Sequence, residues 1–254
     1  MTAAIVRDAE PPFGTIVFDC DSTLSAIEGV DELCGLVGVD LARVADLTRR
    51  AMAGELALEA VYGERLDLLR PDAPTLEALG RKYVDARLPH VVELCAALRD
   101  LGKRLFIVSG GLRQAVLALA ERLGIPESNV YAVEAFLDRD GAYAGFDDLS
   151  PLARSGGKLD VLREIASADH GGGVALIGDG VTDLEAAPAV RRFIAFGGVV
   201  RREPVFRAAA VCCESGDAAA LLPLLTDAAE RERLARRSEH ALLLGAARGA
   251  TAHP

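Results

Sequence analysis

The chain has 254 residues, of which 51% are hydrophobic and 26% charged, enough to bury the core of one medium-sized domain with an insertion. Its formal net charge of −10 argues against a nucleic acid partner, because DNA and RNA are polyanions. Residues 1–12 contain no apolar run typical of a signal peptide, and no segment is apolar for long enough to span a membrane. The five cysteines are irregularly spaced, which indicates a reducing compartment, so we expect a cytoplasmic protein.

The first predicted strand in chain order is followed by an unusually long helical segment. Residues 15–18 (TIVF) form a short β-branched apolar run that predicts a buried strand ending at Asp19. About 80 residues with helical patterns then precede the next strand, which is far more than a strand-to-helix crossover needs. We therefore predict an inserted helical cap, and its helices are expected over residues 29–37, 41–53, 58–69 and 75–86.

From residue 104 onward, the chain alternates predicted strands with helical patterns. This alternation is typical of a parallel sheet with helices on both faces, so the predicted fold class is α/β. The turn from Asp138 to Gly141 predicts a small β-hairpin. The segment after Asp217 is Ala-rich and then charged, and it is consistent with either a terminal helix or partial disorder. The predicted strands of this part cover residues 104–108, 130–136, 174–177 and 193–196.

Three of the predicted strands run directly into a polar or glycine-rich turn. These turns read DCDST at 19–23, SGG at 109–111 and GDGVTD at 178–183. Because ligands bind beyond the carboxyl ends of the strands in an open α/β sheet, we expect the three turns to form one site. A hard divalent cation such as Mg2+ would relieve the repulsion between the carboxylates in the first and third turns, although DCDST alone is also consistent with an ordinary capped turn. These carboxylates belong to Asp19, Asp21, Asp179 and Asp183.

Two further features predict a phosphate site. The SGG turn precedes a predicted helix over 112–123, and backbone amides at the start of a helix bind anions. Lys158 lies at the start of another predicted helix, where a cation opposes the helix dipole, so we expect it to face a negative group. A simple turn and a solvated lysine are the alternative interpretations. The sequence has no C-x5-R, R-H-G or complete Walker A motif, which argues against three other classes of phosphate-handling protein.

The ordered set of motifs resembles a known family. DCDST, SGG, GGK at 156–158 and GDGVTD, in that order, resemble the four motifs of the haloacid dehalogenase superfamily. EGVDELCGLVGV, YGERLDLLRP and FIAFGG are similar to its phosphoserine phosphatase members, and the resemblance covers about residues 13–225. It implies a Rossmann-like core over 13–27 and 87–225, a helical cap over 28–86, a β-hairpin insertion over 130–147, and a helical or disordered tail over 226–254.

The resemblance also implies a mechanism. Asp19 would attack phosphorus and form an aspartyl-phosphate, and Asp21 would serve as the general acid and then the general base. The Ser109 hydroxyl, the Gly110 amide and the Lys158 ammonium would neutralise the oxygens of the transferring phosphoryl group. Mg2+ would be held by Asp19, by the backbone carbonyl of Asp21 and by Asp179. Asp183 would hold the loop in place through a metal-bound water or through Lys158.

Substrate selection is expected to come largely from the cap. The resemblance implies that Glu28 pairs with a substrate ammonium and Arg65 with a substrate carboxylate. The sequence departs from the family pattern at Ala53 and Val199, where the family usually has Gly and Asn, and both departures bear on substrate identity. The implied substrate-binding residues are Glu28, Met52, Ala53, Arg65, Ser109, Gly110, Gly111, Lys158, Thr182 and Arg202.

The sequence therefore predicts an enzyme acting on a small phosphomonoester. The expected reaction is Mg2+-dependent hydrolysis of O-phospho-L-serine in L-serine biosynthesis. The alternatives are a related phosphatase or phosphotransferase acting on another small phosphorylated metabolite, and a non-catalytic sensor, against which the presence of both Asp19 and Asp21 argues. The oligomeric state stays open, with a homodimer among the expected forms.

Overall fold

A six-stranded parallel sheet with the order β3-β2-β1-β6-β7-β8 forms the centre of the protein. The computed structural model describes residues 9–52, 58–169 and 171–250. The strands of this sheet and of a separate hairpin are β1 (Thr15–Phe18), β2 (Arg104–Leu112), β3 (Val130–Val133), β4 (Ala135–Leu137), β5 (Tyr143–Phe146), β6 (Val174–Gly178), β7 (Arg192–Phe196) and β8 (Val211–Cys213).

Helices cover both faces of the sheet and continue beyond it at the carboxyl end of β1. None of the helices among the described residues has the length and apolar character that crossing a bilayer requires. The helices are α1 (Gly29–Val37), α2 (Leu41–Met52), α3 (Leu58–Leu69), α4 (Ala73–Asp85), α5 (Val91–Asp100), α6 (Arg113–Leu123), α7 (Gly157–Ser167), α8 (Val181–Ala186), α9 (Glu203–Ala208), α10 (Leu222–Leu225), α11 (Ala228–Ala235) and α12 (Ala241–Ala250).

The central strand β1 is buried on both faces, as its uninterrupted apolar sequence predicts. Ile16 and Phe18 belong to one apolar layer, and Val17, between them, belongs to the other. The end of β1 is level with β2 on one side and β6 on the other, since Phe18 pairs with both Ile107 and Ile177. The loops that follow these strands therefore emerge side by side, and the predicted α/β architecture with a parallel sheet and a small hairpin is confirmed.

Two strand boundaries differ from the prediction by more than one residue. The run at 130–136 was expected to form one strand, but it divides at Glu134 into β3 of the main sheet and β4 of the hairpin. The Gln114 side chain explains the division, because its amide accepts from the Ala135 N–H at 3.2 Å and donates to the Ala135 carbonyl at 2.6 Å. The second strand was expected to end at residue 108, but β2 continues to Leu112, which pairs with Val133 of β3.

The hairpin β4–β5 contacts α3 and the start of α4, which belong to the helical segment that follows β1 in the chain. The Tyr62 and Phe146 rings pack with their centroids 5.3 Å apart. The Arg70 guanidinium lies 5.5 Å from the centre of the Tyr143 ring. The Ala73 N–H donates to a carbonyl in the hairpin turn at 2.9 Å. These contacts join two insertions that are far apart in the sequence.

The helices α11 and α12 pack against α5 and the end of the sheet. Leu243 is fully buried in the core. The Lys103 ammonium is also buried and lies 2.6 Å from a Glu230 carboxylate oxygen. His240 places Nε2 2.9 Å from the Asp100 carboxylate. Where the sequence left helix and disorder open, the described part of this segment is thus helical and attached by buried polar contacts.

Candidate active site

The carboxyl ends of β1 and β6 bring three carboxylates together. Asp19 directly follows β1 and its N–H donates to the Ile177 carbonyl of β6 at 2.9 Å. Asp179 follows β6, and Asp183 lies in the first turn of α8. All three side chains are buried, and one oxygen from each lies within 4.8 Å of the others. The predicted convergence of the first and third turns is therefore present in the structure.

Lys158 lies between two of these carboxylates. Its buried Nζ is 2.8 Å from Asp19 Oδ2 and 2.6 Å from Asp183 Oδ1. Burial lowers the pKa of this ammonium, but the carboxylates of Asp183 and Asp19 outweigh the burial and hold its pKa above the ordinary value. The second Asp183 oxygen accepts the Gly180 N–H at 3.0 Å. Asp183 thus fixes both Lys158 and the loop that carries Asp179.

Asp21 lies in the loop that follows β1 and also carries Asp19, and its side chain contacts the start of α1. Its Oδ2 accepts the Gly29 N–H at 3.1 Å, and its Oδ1 accepts the Tyr83 hydroxyl of α4 at 2.5 Å. Burial raises the pKa of this carboxyl to about 7, against the lowering effect of the Tyr83 hydrogen bond. A carboxyl group with such a pKa is suited to both donating and accepting a proton near neutral pH.

Arg202 connects the carboxylate cluster to the predicted substrate site. Its Nε lies 2.8 Å from Asp179 Oδ2, and one terminal nitrogen lies 3.1 Å from Glu28 Oε1. Glu28 Oε1 also accepts the Ser22 hydroxyl at 2.7 Å. Burial raises the pKa of Glu28, while the Ser22 hydrogen bond lowers it. The carboxylate expected to meet a substrate ammonium is thus bonded to Arg202 and Ser22 in this conformation.

The predicted phosphate loop lies at the end of β2 rather than after it. Ser109 is buried, and its Oγ accepts the Gly111 N–H at 3.0 Å. Gly110 is exposed and its carbonyl accepts the Tyr62 hydroxyl of α3 at 2.8 Å. The helix α6 begins at Arg113, so the residues expected to open a helix form the last part of a strand instead. Pairing of β2 with β3 explains the difference.

A cavity lies between α1, α3 and α4, the helices of the predicted cap, and the loops at the sheet edge. Arg65 of α3 lines it, and burial lowers the pKa of this guanidinium. Tyr62 and Tyr83 line it from the cap, while Asp21 and Gly110 line it from the sheet. Apolar side chains surround the remainder, contributed by Val30, Leu33, Leu66, Leu79 and Leu112. The arrangement suits a small ligand with an anionic group near Arg65.

The other predicted residues lie at the margin of the site or outside the residues that the structure describes. Thr182 is half-buried in the first turn of α8, next to Asp183. Met52 ends α2, but its side chain lies outside the described residues, as does the whole of Ala53. Val199 packs against the hydrophobic core, so this departure from the family pattern has an apolar role.

Tyr62 and Tyr83 were missed by the sequence analysis. Each stands on a cap helix and bonds to a loop of the sheet that is distant in the chain. No spacing or motif identifies them, because the helix periodicity that places them gives no information about the loop they reach. Only the close approach of the cap to the sheet brings them into the site.

The donor set fits a small divalent cation. Asp19, Asp179 and Asp183 place carboxylate oxygens, the ligand type that magnesium and calcium prefer, within 4.8 Å of one another. Both Asp183 oxygens are bonded to Lys158 and the Gly180 N–H, so Asp183 is suited to support the site from outside the ligand set. Lys158 and Arg202 offset two of the three negative charges, so the cluster retains a net negative charge. Burial and the neighbouring Asp19 raise the pKa of Asp179, as expected where a cation is needed to relieve repulsion.

Comparison with known proteins identifies similar sequences and folds. The model of the haloacid dehalogenase-like hydrolase family matches residues 16–188. Phosphoserine phosphatases from Mus musculus and Homo sapiens are each 40% identical to the chain over 190 residues, covering 75% of this chain and 84% of theirs. A solved structure described as a phospho-aspartyl intermediate analogue of phosphoserine phosphatase aligns with a TM-score of 0.68 and 26% identity, covering 85% of this chain and 100% of that one.

Proposed function

The chain belongs to the haloacid dehalogenase-like hydrolase family, and from this premise we propose that it hydrolyses O-phospho-L-serine to L-serine and phosphate. The observation that carries the proposal is the pairing of Asp19 with Lys158 beside two further carboxylates, with Asp21 two residues away on the cavity side. This arrangement supplies a nucleophile, a cation and a proton donor at one sheet edge. It supports the enzyme expected from the motifs.

In the first step, an Asp19 carboxylate oxygen attacks phosphorus. A bond from this oxygen to phosphorus forms while the bond from phosphorus to the serine oxygen breaks. Asp21 gives its proton to the departing serine oxygen, for which a carboxyl pKa of about 7 is suitable. Lys158, already held beside Asp19, offsets negative charge on the phosphoryl group.

In the second step, water attacks the phosphorus of the aspartyl-phosphate. The bond between phosphorus and the Asp19 oxygen breaks, and the carboxylate returns to its starting state. Asp21, deprotonated by the first step, accepts the proton of the attacking water. The hydrogen bonds from Gly29 and Tyr83 hold its carboxyl group in place between the two steps. The Ser109 hydroxyl and the Gly110 amide are assigned to the phosphoryl oxygens.

The proposed cofactor is Mg2+. Asp19, Asp179 and the backbone carbonyl of Asp21 would hold it, and Asp183 would support the site through its bonds to Lys158 and the Gly180 N–H. When bound, the ion would offset the charge of the carboxylates and of the phosphate group. Oxygen donors around a cluster with net negative charge support this choice.

The substrate assignment depends on the cavity. Arg65 lines it and is assigned to the substrate carboxylate, for which a guanidinium is a bidentate partner. Glu28 is assigned to the substrate ammonium, which would then share Glu28 with Arg202 and Ser22. The helices α1–α4 are assigned as the cap domain over 28–86, with residues 13–27 and 87–225 as the core.

The proposal is tested by phosphate release from a panel of esters. L-Phosphoserine, phosphoethanolamine and glucose 6-phosphate are compared with Mg2+ present and with a chelator. L-Phosphoserine is expected to have the highest kcat/KM, because a site with partners for two charged groups rejects analogues that lack them by up to ~10⁴-fold. Comparable values for glucose 6-phosphate would show that the substrate assignment is wrong. Adding a second alcohol and measuring its phosphorylation separates hydrolysis from phosphotransfer.

A further inference from the structure

Tyr83 is the buried tyrosine of the cap that reaches the proton donor of the proposed reaction. It stands near the end of α4 and has no exposed surface. Its hydroxyl is 2.5 Å from Asp21 Oδ1. Two glycines make room for the hydroxyl. A Cβ on Gly29 would lie 2.1 Å from the hydroxyl oxygen, and a Cβ on Gly111 would lie 3.3 Å from it.

The two donors on Asp21 are compatible with both of its protonation states. Tyr83 donates to Oδ1, and the Gly29 amide donates to Oδ2. A neutral carboxylic acid can keep Oδ1 as the carbonyl that accepts from Tyr83, with its proton on Oδ2. An ionised carboxylate can also accept both hydrogen bonds, one on each oxygen. The carboxyl group therefore changes charge without losing either hydrogen bond.

Two donors on different oxygens also define the plane of the carboxyl group. The terminal torsion of an aspartate side chain has only a broad, roughly two-fold preference of its own. A single bond from the Gly29 amide would leave rotation about that torsion only weakly restricted. The second bond, from a buried ring that cannot move without displacing α4, restricts it. Proton transfer depends on such orientation, because misplacement by about 1 Å reduces rates substantially.

We propose that Tyr83 is a positioning residue for the general acid Asp21, and that it fixes the carboxyl proton toward the leaving-group oxygen. This inference rests on the proposed function, since it assigns a role within the same reaction. It means that a side chain of the cap, Tyr83, is needed for proton donation by Asp21 at the sheet edge. The cap then contributes to the rate of bond breaking as well as to substrate selection.

The test is the dependence of Tyr83→Phe on the leaving group. A serine alkoxide is a poor leaving group and needs a proton, whereas p-nitrophenolate leaves without one. The ratio kcat/KM reports steps up to release of the alcohol, so it isolates the stage in which Asp21 donates. For Tyr83→Phe we expect kcat/KM to fall about 10- to 30-fold with L-phosphoserine and by less than about twofold with p-nitrophenyl phosphate, since general acid catalysis contributes ~10²–10⁴ in rate.

Tyr62→Phe is the matched control. It removes the same atom from a neighbouring cap helix, but the hydroxyl it removes bonds to the Gly110 carbonyl of the phosphate loop. Both substrates carry the same phosphoryl group, so any loss in this variant should be the same factor for both. Equal losses for both substrates in Tyr83→Phe, or no loss in either, would overturn the inference.

A second variant keeps the test decisive if Tyr83→Phe does not fold. Gly29→Ala leaves the phenol in the chain but places a methyl group where the hydroxyl lies, so the ring must move away from Asp21. The same selective loss with L-phosphoserine is expected, and an unselective loss contradicts the inference. Failure of the wild-type enzyme to hydrolyse L-phosphoserine would instead refute the proposed substrate, and the comparison would then use the alkyl phosphate that it does hydrolyse.

Discussion

The two ends of β1 use buried carboxylates in opposite ways. At its carboxyl end, Asp19 lies among other carboxylates, and burial with this crowding raises the pKa of Asp179. At its amino end, Asp169 accepts the Thr15 hydroxyl at 2.7 Å, the Gly173 N–H at 2.8 Å and an Arg104 nitrogen at 3.0 Å. Burial raises the pKa of Asp169, but these hydrogen bonds outweigh it and lower the pKa below the ordinary value.

The difference separates a site built for reaction from one built for stability. Asp169 has a complete set of neutral and charged donors, so its charge is stabilised by the protein alone. The carboxylates at the other end are short of positive charge, which the proposed Mg2+ would supply. Clusters of this kind reduce stability and are expected at active sites.

The largest expected effect comes from substituting the carboxylate at each end of β1 in turn and comparing the two variants. Asp19→Asn removes the nucleophile and should reduce kcat by at least ~10⁴-fold, as loss of a catalytic nucleophile does in other hydrolases. Asp169→Ala should leave kcat within about twofold but reduce stability by about 1–3 kcal/mol, because the buried Thr15 hydroxyl loses its acceptor. Steady-state kinetics and thermal unfolding check both. Turnover retained by Asp19→Asn would refute the mechanism.

Metal removal should affect only the carboxyl end. A chelator is expected to reduce turnover by about 10³-fold or more, and Mg2+ should restore it, since the ion offsets the charge on the phosphoryl group. Mg2+ at 100 times its Kd should also stabilise the folded protein by about 2.7 kcal/mol. Thermal unfolding of Asp179→Asn should show little of this Mg2+ effect, while Asp169→Ala retains it. A Mg2+ shift that is unchanged in Asp179→Asn would place the ion elsewhere.

A smaller effect is expected from the cap. Arg65→Ala should lower kcat/KM for L-phosphoserine by ~10²-fold, mainly through KM, because the substrate carboxylate loses a charged partner. The same variant should change kcat/KM for phosphoethanolamine, which has no carboxylate, by much less. Arg70→Ala is the control, since that guanidinium stacks on Tyr143 of the hairpin. Equal losses for both substrates in Arg65→Ala would remove the assignment of Arg65.

The smallest effect is a difference in the pH dependence of stability without metal. The pKa of Asp21 rises on folding from 3.8 to about 7, so the folded state binds more protons than the unfolded state between these values. Stability should therefore fall by up to a few kcal/mol as pH rises through this window, since one pKa unit corresponds to about 1.4 kcal/mol. Asp21→Asn should reduce this fall, and Glu28 and Asp179, whose pKa values folding also raises, should supply what remains. Urea unfolding with a chelator, from pH 4 to 7, measures it.

The control for the pH experiment has the opposite sign. The pKa of Asp169 is lowered on folding, so its contribution is present above the unfolded pKa and is lost as pH falls through the folded pKa. Asp169→Ala should leave the fall between pH 4 and 7 in place. A fall that persists unchanged in Asp21→Asn would show that other groups cause it.

The sequence predicted the chemistry of the sheet edge better than that of the cap. Asp19 and Asp179 follow apolar strands directly, so the local pattern fixes their positions and the parallel topology fixes their proximity. Tyr83 meets Asp21 through the packing of α4 on α1 and α6, for which the sequence carries no local signal. The fold class and family were therefore predictable, and the tyrosine contacts were not.

The errors in strand boundaries have the same origin. The run at 130–136 has uniform strand character, and only the distant Gln114 side chain determines where it leaves the main sheet. The last strand, β8, has three residues, too few for a pattern to stand out. Its position at the edge follows from pairing with β7, where Phe196 faces Cys213. Local patterns indicate the type of an element, while its end depends on its neighbours.

The contact between the Tyr62 and Phe146 rings connects the helices of the cap to the hairpin. Any displacement of the cap from the sheet must carry the hairpin with it or separate these two rings. The chain contains four tyrosines but no tryptophan, so Phe146→Trp would introduce a single tryptophan at this junction, which can be excited separately from the tyrosines. Its emission would report, in real time and without a label, whether the two insertions move together during turnover.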